Sequence, residues 1–284
     1  MSHALITVVV LTCTQVAPDN IKYRTLFGGE DNSGSKSADN SARHITTADL
    51  VTELITDPDA AATAANEVAL DEIKKTDEAE RKLDREKCRA AIKTATDPLI
   101  RRKAVPSMLS IERKANIVHL MTEIVLRPEL KGDWVETGTW MGGASLIAAY
   151  IQKVALEEPS CGPDVPQRKI WLADSFKGLP PEADDETKEA GYTKTMDKAG
   201  SYAFEGGLDT VKNLFLKHGF EIDGSGNVPI YFIKGYFNDT LHDSPIEDIA
   251  VLRLDGDMYA STLQALFALY RRVRMDGYII VSIL

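Results

Sequence analysis

The 284-residue sequence predicts an α/β fold, a mostly parallel sheet with helices on both faces. Three observations predict it. From Pro98 onward, apolar runs of strand length alternate with helix-length segments. The runs are nearly continuous in apolar residues, which marks strands buried on both faces between helix layers. Polar clusters follow the runs, and ligands of such sheets bind beyond the carboxyl ends of the strands.

The elements follow in order. "SIERKANIVHLMTEIVL" (110–126) carries Ile111, Ala115, Val118, Met121 and Val125 at helical spacing, and Pro128 ends it. "DWVETG" reads as a first strand and "GGASLIAAYIQKVAL" as a helix; "RKIWLADS" is a second strand. "LDTVKNLFLKHG" is a helix that stops at Gly219. "PIYFIKG" and "IAVLRLDG" are the third and fourth strands. "STLQALFALYRRV" is a helix capped by Ser261 or Thr262, and "YIIVSIL" is a fifth strand.

The first hundred residues differ in texture. "ALITVVVLTC" (4–13) suits a short buried strand; it has no basic flank or small-residue cleavage site to make it a leader. Residues 28–45 are rich in Gly, Ser, Asn and Asp, which is linker chemistry. Residues 47–96 alternate acid and base three and four apart, as a solvated helix does. The apolar stripe there (Leu70, Ile73, Leu83, Ile92) is too thin for a core of its own. Residues 1–104 are therefore expected to be an acidic, partly helical or disordered extension, with one α/β domain over 105–284.

Composition excludes several classes. The net charge of −10 offers no global field for nucleic acid or anionic lipid, and "IRRK" (100–103) is the largest basic cluster. No run reaches the roughly 20 apolar residues of a membrane span. Cys13, Cys88 and Cys161 are too few and scattered for a disulfide framework or a zinc site. A reducing compartment, the cytoplasm, is the expected location.

Two strand ends look like binding loops. Gly138, Gly142 and Gly143, in "VETGTWMGGAS", lie where a strand turns into a helix, so backbone can approach a ligand closely. Their spacing is not the G-x-G-x-x-G of dinucleotide folds, and no acidic residue follows about 20 positions later, which argues against a nicotinamide-dependent oxidoreductase. Asp174, ending the second strand, is placed to accept both hydroxyls of a ribose, although a turn or cap aspartate would look the same. The two features on consecutive strands favour an adenosine-type ligand. Trp140 and Phe176 flank these loops, as adenine-stacking or core residues. His119 and His218 read as structural or surface residues, His242 as an outside candidate for the pocket, and residues 182–200 as a lid over its mouth.

The order "SMLS", "VETGTWMGGAS", "WLADSFKGLPP", "LDTVKNLF", "YFIKGYFNDTL", "LRLDGDMYAST", "DGYIIV" resembles the macrocin O-methyltransferase family from about residue 106 to the last. The resemblance implies a Rossmann-like class I methyltransferase fold, with S-adenosylmethionine and Mg²⁺ as cofactors. It implies methylation of a hydroxyl on a small-molecule acceptor, a sugar or other natural product, with no nucleic-acid or membrane partner. Placed on matching residues, it implies that Met108 and Ser110 cover the cofactor. Glu136, Gly138 and Ser145 would serve its amino-acid end, Asp174 and Ser175 its ribose, and Gly235 and Tyr236 its adenosine pocket. Asp255 corresponds to a metal ligand and Asp257 to the general base.

The family's fifth strand is followed by an Asp-Asp pair that completes the metal site and then by further elements. Here Ser282, Ile283 and Leu284 stand after "YIIV", so the fold is expected to be truncated after the fifth strand and the Mg²⁺ site weakened or lost. That departure supports an alternative, a non-catalytic S-adenosylmethionine-binding relative. It also leaves an apolar edge strand, expected to be covered by residues 4–13 or by a second copy of the chain, unless the chain is incomplete.

Overall fold

A computed structural model of the chain describes residues 8–12, 58–101, 103–181 and 199–282. The linker expected at 28–45 and nearly all of the lid expected at 182–200 lie outside the described residues. The chain divides into two compact units, Met1–Thr25 with Lys87–Leu284, and Leu26–Glu86. The described part of the second unit is helix, with residues 73–86 exposed, as their charged sequence requires.

The elements of the chain are β1 (Val8–Thr12), α1 (Pro58–Ile100), α2 (Ile111–Val125), β2 (Asp133–Thr137), α3 (Gly143–Glu157) and β3 (Ile170–Asp174). They continue as α4 (Gly207–Lys217), β4 (Ile230–Lys234), α5 (Phe237–Thr240), β5 (Ile249–Leu254), α6 (Tyr259–Leu269) and β6 (Val273–Ser282). The five strands expected from the sequence are β2 to β6. One helix start differs from expectation: α6 begins at Tyr259 with Met258 in the capping position, and Ser261 is buried inside it.

The sheet order is β1-β6-β5-β2-β3-β4, parallel throughout except for β1. The order reverses between β2 and β5, the topological switch point at which open α/β sheets bind ligands. β1 runs antiparallel along β6, from Val8 opposite Ser282 to Thr12 opposite Tyr278. Val8–Thr12, within the 4–13 segment, thus cover the edge strand.

Side chains alternate across the sheet with period two. One face presents Trp134, Leu172, Val251 and Ile280 to α2, α3, α4 and the last turns of α1. The other presents Val135, Trp171, Leu252 and Ile279 to α5 and α6. Both faces are therefore dry, which explains why the strands read as continuous apolar runs.

The larger segment of the sheet-bearing unit starts at Lys87, upstream of the position where the apolar texture thickens. Cys88, Ile92 and Thr96 recur every four residues and are buried in the core that α2 and α3 share. Arg89 pairs with Glu123 of α2 beside them. A stripe too thin to found a core is wide enough to dock on one.

The cysteines depart from the expectation of a reducing compartment and no disulfide framework: Cys88 and Cys161 form a disulfide. They lie 73 residues apart, and only the docking of the last turns of α1 beside the end of α3 brings them together. Reduction, or Cys88→Ser, is expected to lower stability by roughly 2–4 kcal/mol. Urea unfolding with and without a reductant measures this, and identical midpoints would contradict the docked arrangement.

Candidate functional site

At the carboxyl ends of β2, β3, β4 and β5 the strands open into a cavity of about 370 Å³. That is within the range of pockets that hold small-molecule ligands. Met108, Gly138, Asp174, Ser175, Gly235, Tyr236, Asp255 and Asp257 all line it. Eight of the residues singled out from the sequence are thus gathered from distant segments into one wall.

Glycines shape the first loop. At Gly138 φ is +81°, and a Cβ there would fall 2.0 Å from the Asp255 carbonyl oxygen. A Cβ at Gly143 would fall 2.3 Å from the Pro106 carbonyl oxygen. Bare backbone at these positions lets the loops after β2 and β5 touch, and seats the segment carrying Met108 on the start of α3. Met108 itself is 56% exposed, over the cavity.

Asp174 is held by the loops it joins. Its Oδ1 accepts from the Phe176 amide at 2.7 Å and its Oδ2 from the Trp140 amide at 2.9 Å. Burial pushes this carboxyl above its ordinary range, and the amides of Phe176, Trp140 and Thr139 and the Ser175 hydroxyl pull it back. A carboxylate so oriented keeps lone pairs for a vicinal diol.

Three non-glycine residues of the wall have left-handed backbone: Trp140 (φ 47°), Tyr202 (φ 64°) and Asp257 (φ 60°). Such conformations cost of order 1–3 kcal/mol each and persist where the surroundings impose them. At Asp257 the positive φ ends the extended backbone of the strand, and the residue lies in the cavity wall.

Below the floor lies an ionic network that the sequence reading missed. Glu136 of β2 and Arg253 of β5 are register partners on one face of the sheet, and their side chains form an ion pair. Arg253 Nη2 also donates to Asp255 Oδ2 at 2.5 Å and to Ser282 Oγ at 3.3 Å. Glu136 Oε2 accepts from the Ser145 amide at 3.1 Å and from Ser145 Oγ at 2.5 Å. Ser145 Oγ in turn accepts from Trp134 Nε1 at 2.9 Å. Burial pushes the Glu136 carboxyl up to about 7, against the pull of Arg253 and the Ser145 hydroxyl. Burial opposes the charge on Arg253 as well, but Asp255 and Glu136 outweigh it and raise its pKa.

Glu136 and Ser145 therefore sit beneath the cavity rather than in its wall. Ser110 also lies outside the wall: it caps α2, its hydroxyl accepting from the Arg113 amide at 3.3 Å. Trp140 lines the cavity and meets Phe204 edge-on, whereas Phe176 is buried in the core. His242 is not part of the wall; its carbonyl accepts from Arg272. His218 bonds Tyr150 at 3.0 Å. Asn238, Asp239, Met258, Tyr202 and Gln264 are also among the lining residues. Only the charge inside "IAVLRL" could have signalled the network; the other lining residues carry no pattern of their own.

A divalent cation beside Asp255 does not fit the described residues. No three His, Cys, Asp or Glu side chains among them converge to hold an ion. Asp255 Oδ2 is engaged by the Arg253 guanidinium, and Mg²⁺ requires six hard oxygens in near-octahedral array.

Comparison with known proteins places this architecture. The profile of the Macrocin-O-methyltransferase (TylF) family matches residues 41–283. The chain belongs to the macrocin O-methyltransferase family. It is 34% identical over 182 residues to the mycinamicin III 3''-O-methyltransferase of Micromonospora griseorubida, covering 62% of this chain and 64% of the relative. It is 34% identical over 176 residues to the demethyldecarbamoylnovobiocin O-methyltransferase of Streptomyces niveus, covering 62% of this chain and 61% of that one. The solved structure of the O-methyltransferase NovP matches at 34% identity with a TM-score of 0.49, over 62% of this chain and 66% of its own. The chain thus spans less than two thirds of the length of the curated relatives it matches.

Arg253→Met leaves Glu136 and Asp255 without their cation and is expected to destabilise the fold by about 3–5 kcal/mol. Arg274→Met, at an ion pair half open to solvent, is expected to cost under about 1 kcal/mol. Chemical denaturation of both variants checks this, and equal effects would contradict a structural role for the network.

Proposed function

We propose that the cavity binds S-adenosylmethionine and that the protein transfers its methyl group to a hydroxyl of a small-molecule acceptor, a sugar or another natural product. The observation that carries this reading is the amide-held Asp174 carboxylate at the end of β3, in the wall of a cavity at the switch point. Family membership supports it, and the named activities of the two relatives are O-methylations of natural products.

When bound, the cofactor supplies an activated methyl group on a sulfonium, so the protein's tasks are alignment and removal of the hydroxyl proton. In this reading Asp174 accepts both ribose hydroxyls, which fixes the cofactor along the strand ends. Gly138 lets its amino-acid end lie against backbone, while Tyr236 and Met108 border and cover the pocket. Asp257, in the wall of the cavity, takes the proton from the acceptor hydroxyl as general base. Asp255, tied at Oδ2, directs its second oxygen to the acceptor. No step is routed through a metal.

Calorimetry with S-adenosylmethionine tests the binding half. Asp174→Ala is expected to weaken affinity at least about tenfold, the value of charge-assisted hydrogen bonds. Affinity is also expected to fall on acidification. Binding requires the carboxylate, and burial raises its pKa above the ordinary 3.8, so the loss starts at a higher pH than for an exposed aspartate. Wild-type protein that is folded and binds no S-adenosylmethionine would contradict the reading. For the transfer half, Asp257→Asn is expected to lower turnover about 10²–10⁴-fold on a glycoside acceptor, with cofactor affinity unchanged. Turnover equal to wild type would remove Asp257 from the role of base.

A further inference from the structure

The Arg253 guanidinium lies where the open ends of three elements meet. It is 2% exposed, and it contacts Glu136 on β2, Asp255 beyond β5 and Ser282 at the end of β6. Arginine holds its charge at any working pH, and its planar fork suits two carboxylates at once. The fork is anchored below by Glu136, whose other oxygen is bound by Ser145. The anchor fixes the Oδ2 side of Asp255, a residue that also lines the cavity.

We propose that Arg253 is the resident cation of this site, holding and partly neutralising Asp255 from within the protein so that the described site takes up no divalent cation. The inference deepens the methyl-transfer reading and rests on it for the use of the cavity. A divalent ion on Asp255 would stand next to a fixed positive charge. It would find one unengaged oxygen of Asp255 and, from β6, a neutral serine hydroxyl already accepting from Arg253. Arg253 thus makes Asp255 an oriented acceptor for a hydroxyl rather than a ligand for an ion, and acts as a positioning residue through it.

The test is uptake of Mn²⁺, a paramagnetic probe of Mg²⁺ sites, by the full 284-residue chain, read by electron paramagnetic resonance without cofactor or acceptor. Wild type is expected to show no saturable uptake up to about 1 mM, beyond the weakest protein sites for hard divalent cations. R253Q/S282D exchanges the guanidinium for an amide and adds a carboxylate, and is expected to gain at least tenfold in Mn²⁺ affinity. Wild-type uptake that disappears in Asp255→Asn would overturn the proposal. So would the absence of uptake by a double variant shown by circular dichroism to be folded, since the guanidinium would then not be what keeps ions away. Because the readout needs no methyl donor, a failure of S-adenosylmethionine binding would strike the methyl-transfer reading and leave this result standing.

Discussion

The fixed point of this structure is the ion pair between Glu136 and Arg253. A sheet covered on both faces leaves no water for a charged side chain, so a charge on either face must find its partner there. The register that sets Glu136 opposite Arg253 supplies it, and the same register ties the two strands that flank the switch point. Replacing a buried pair by apolar residues is often neutral for stability, so stability alone does not account for it. Its reach to Asp255 and Ser282 does, because it carries order from the core to the floor of the cavity.

Above that floor the cavity is shaped by backbone that only unusual conformations permit. Gly138 admits the Asp255 carbonyl at a distance no Cβ would allow. Trp140, Tyr202 and Asp257 hold left-handed backbone around the same space. Asp174 binds two loop amides at once, so the loops after β2 and β3 are set by the carboxylate they present. Segments remote in sequence are in this way fixed relative to one another before any ligand arrives.

The α/β architecture was legible because burial on both faces writes itself into the strands as apolar runs, and helices into the intervening spacing. The gathering of Asp174, Asp255, Asp257 and the loop glycines was legible because strand ends share one side of a parallel sheet. The need for an edge cover was legible because an apolar strand such as 278–282 has to be paired, but the sequence alone left open what pairs it. Other features depend on contacts that sequence does not encode locally. Cys88 and Cys161 meet through helix docking, and Cys88, Ile92 and Thr96 look like a poor stripe until a core is there to receive them. Ser110 and Ser145 sit in motifs that suggest ligand contact, yet one caps a helix and the other bonds Glu136. Arg253 belongs to no recognisable motif of its own beside the carboxylates that follow it. A cation inside an apolar strand is itself the signal of a buried partner.

The central claim, that the strand ends form a cofactor site organised by Asp174 above the Arg253 network, is tested most directly by a crystal structure of the chain with S-adenosylhomocysteine. The account predicts both ribose hydroxyls within hydrogen-bonding distance of Asp174, with the sulfur facing Asp255 and Asp257. A ligand seated elsewhere, or a ribose turned away from Asp174 while the cavity stays open, would contradict it.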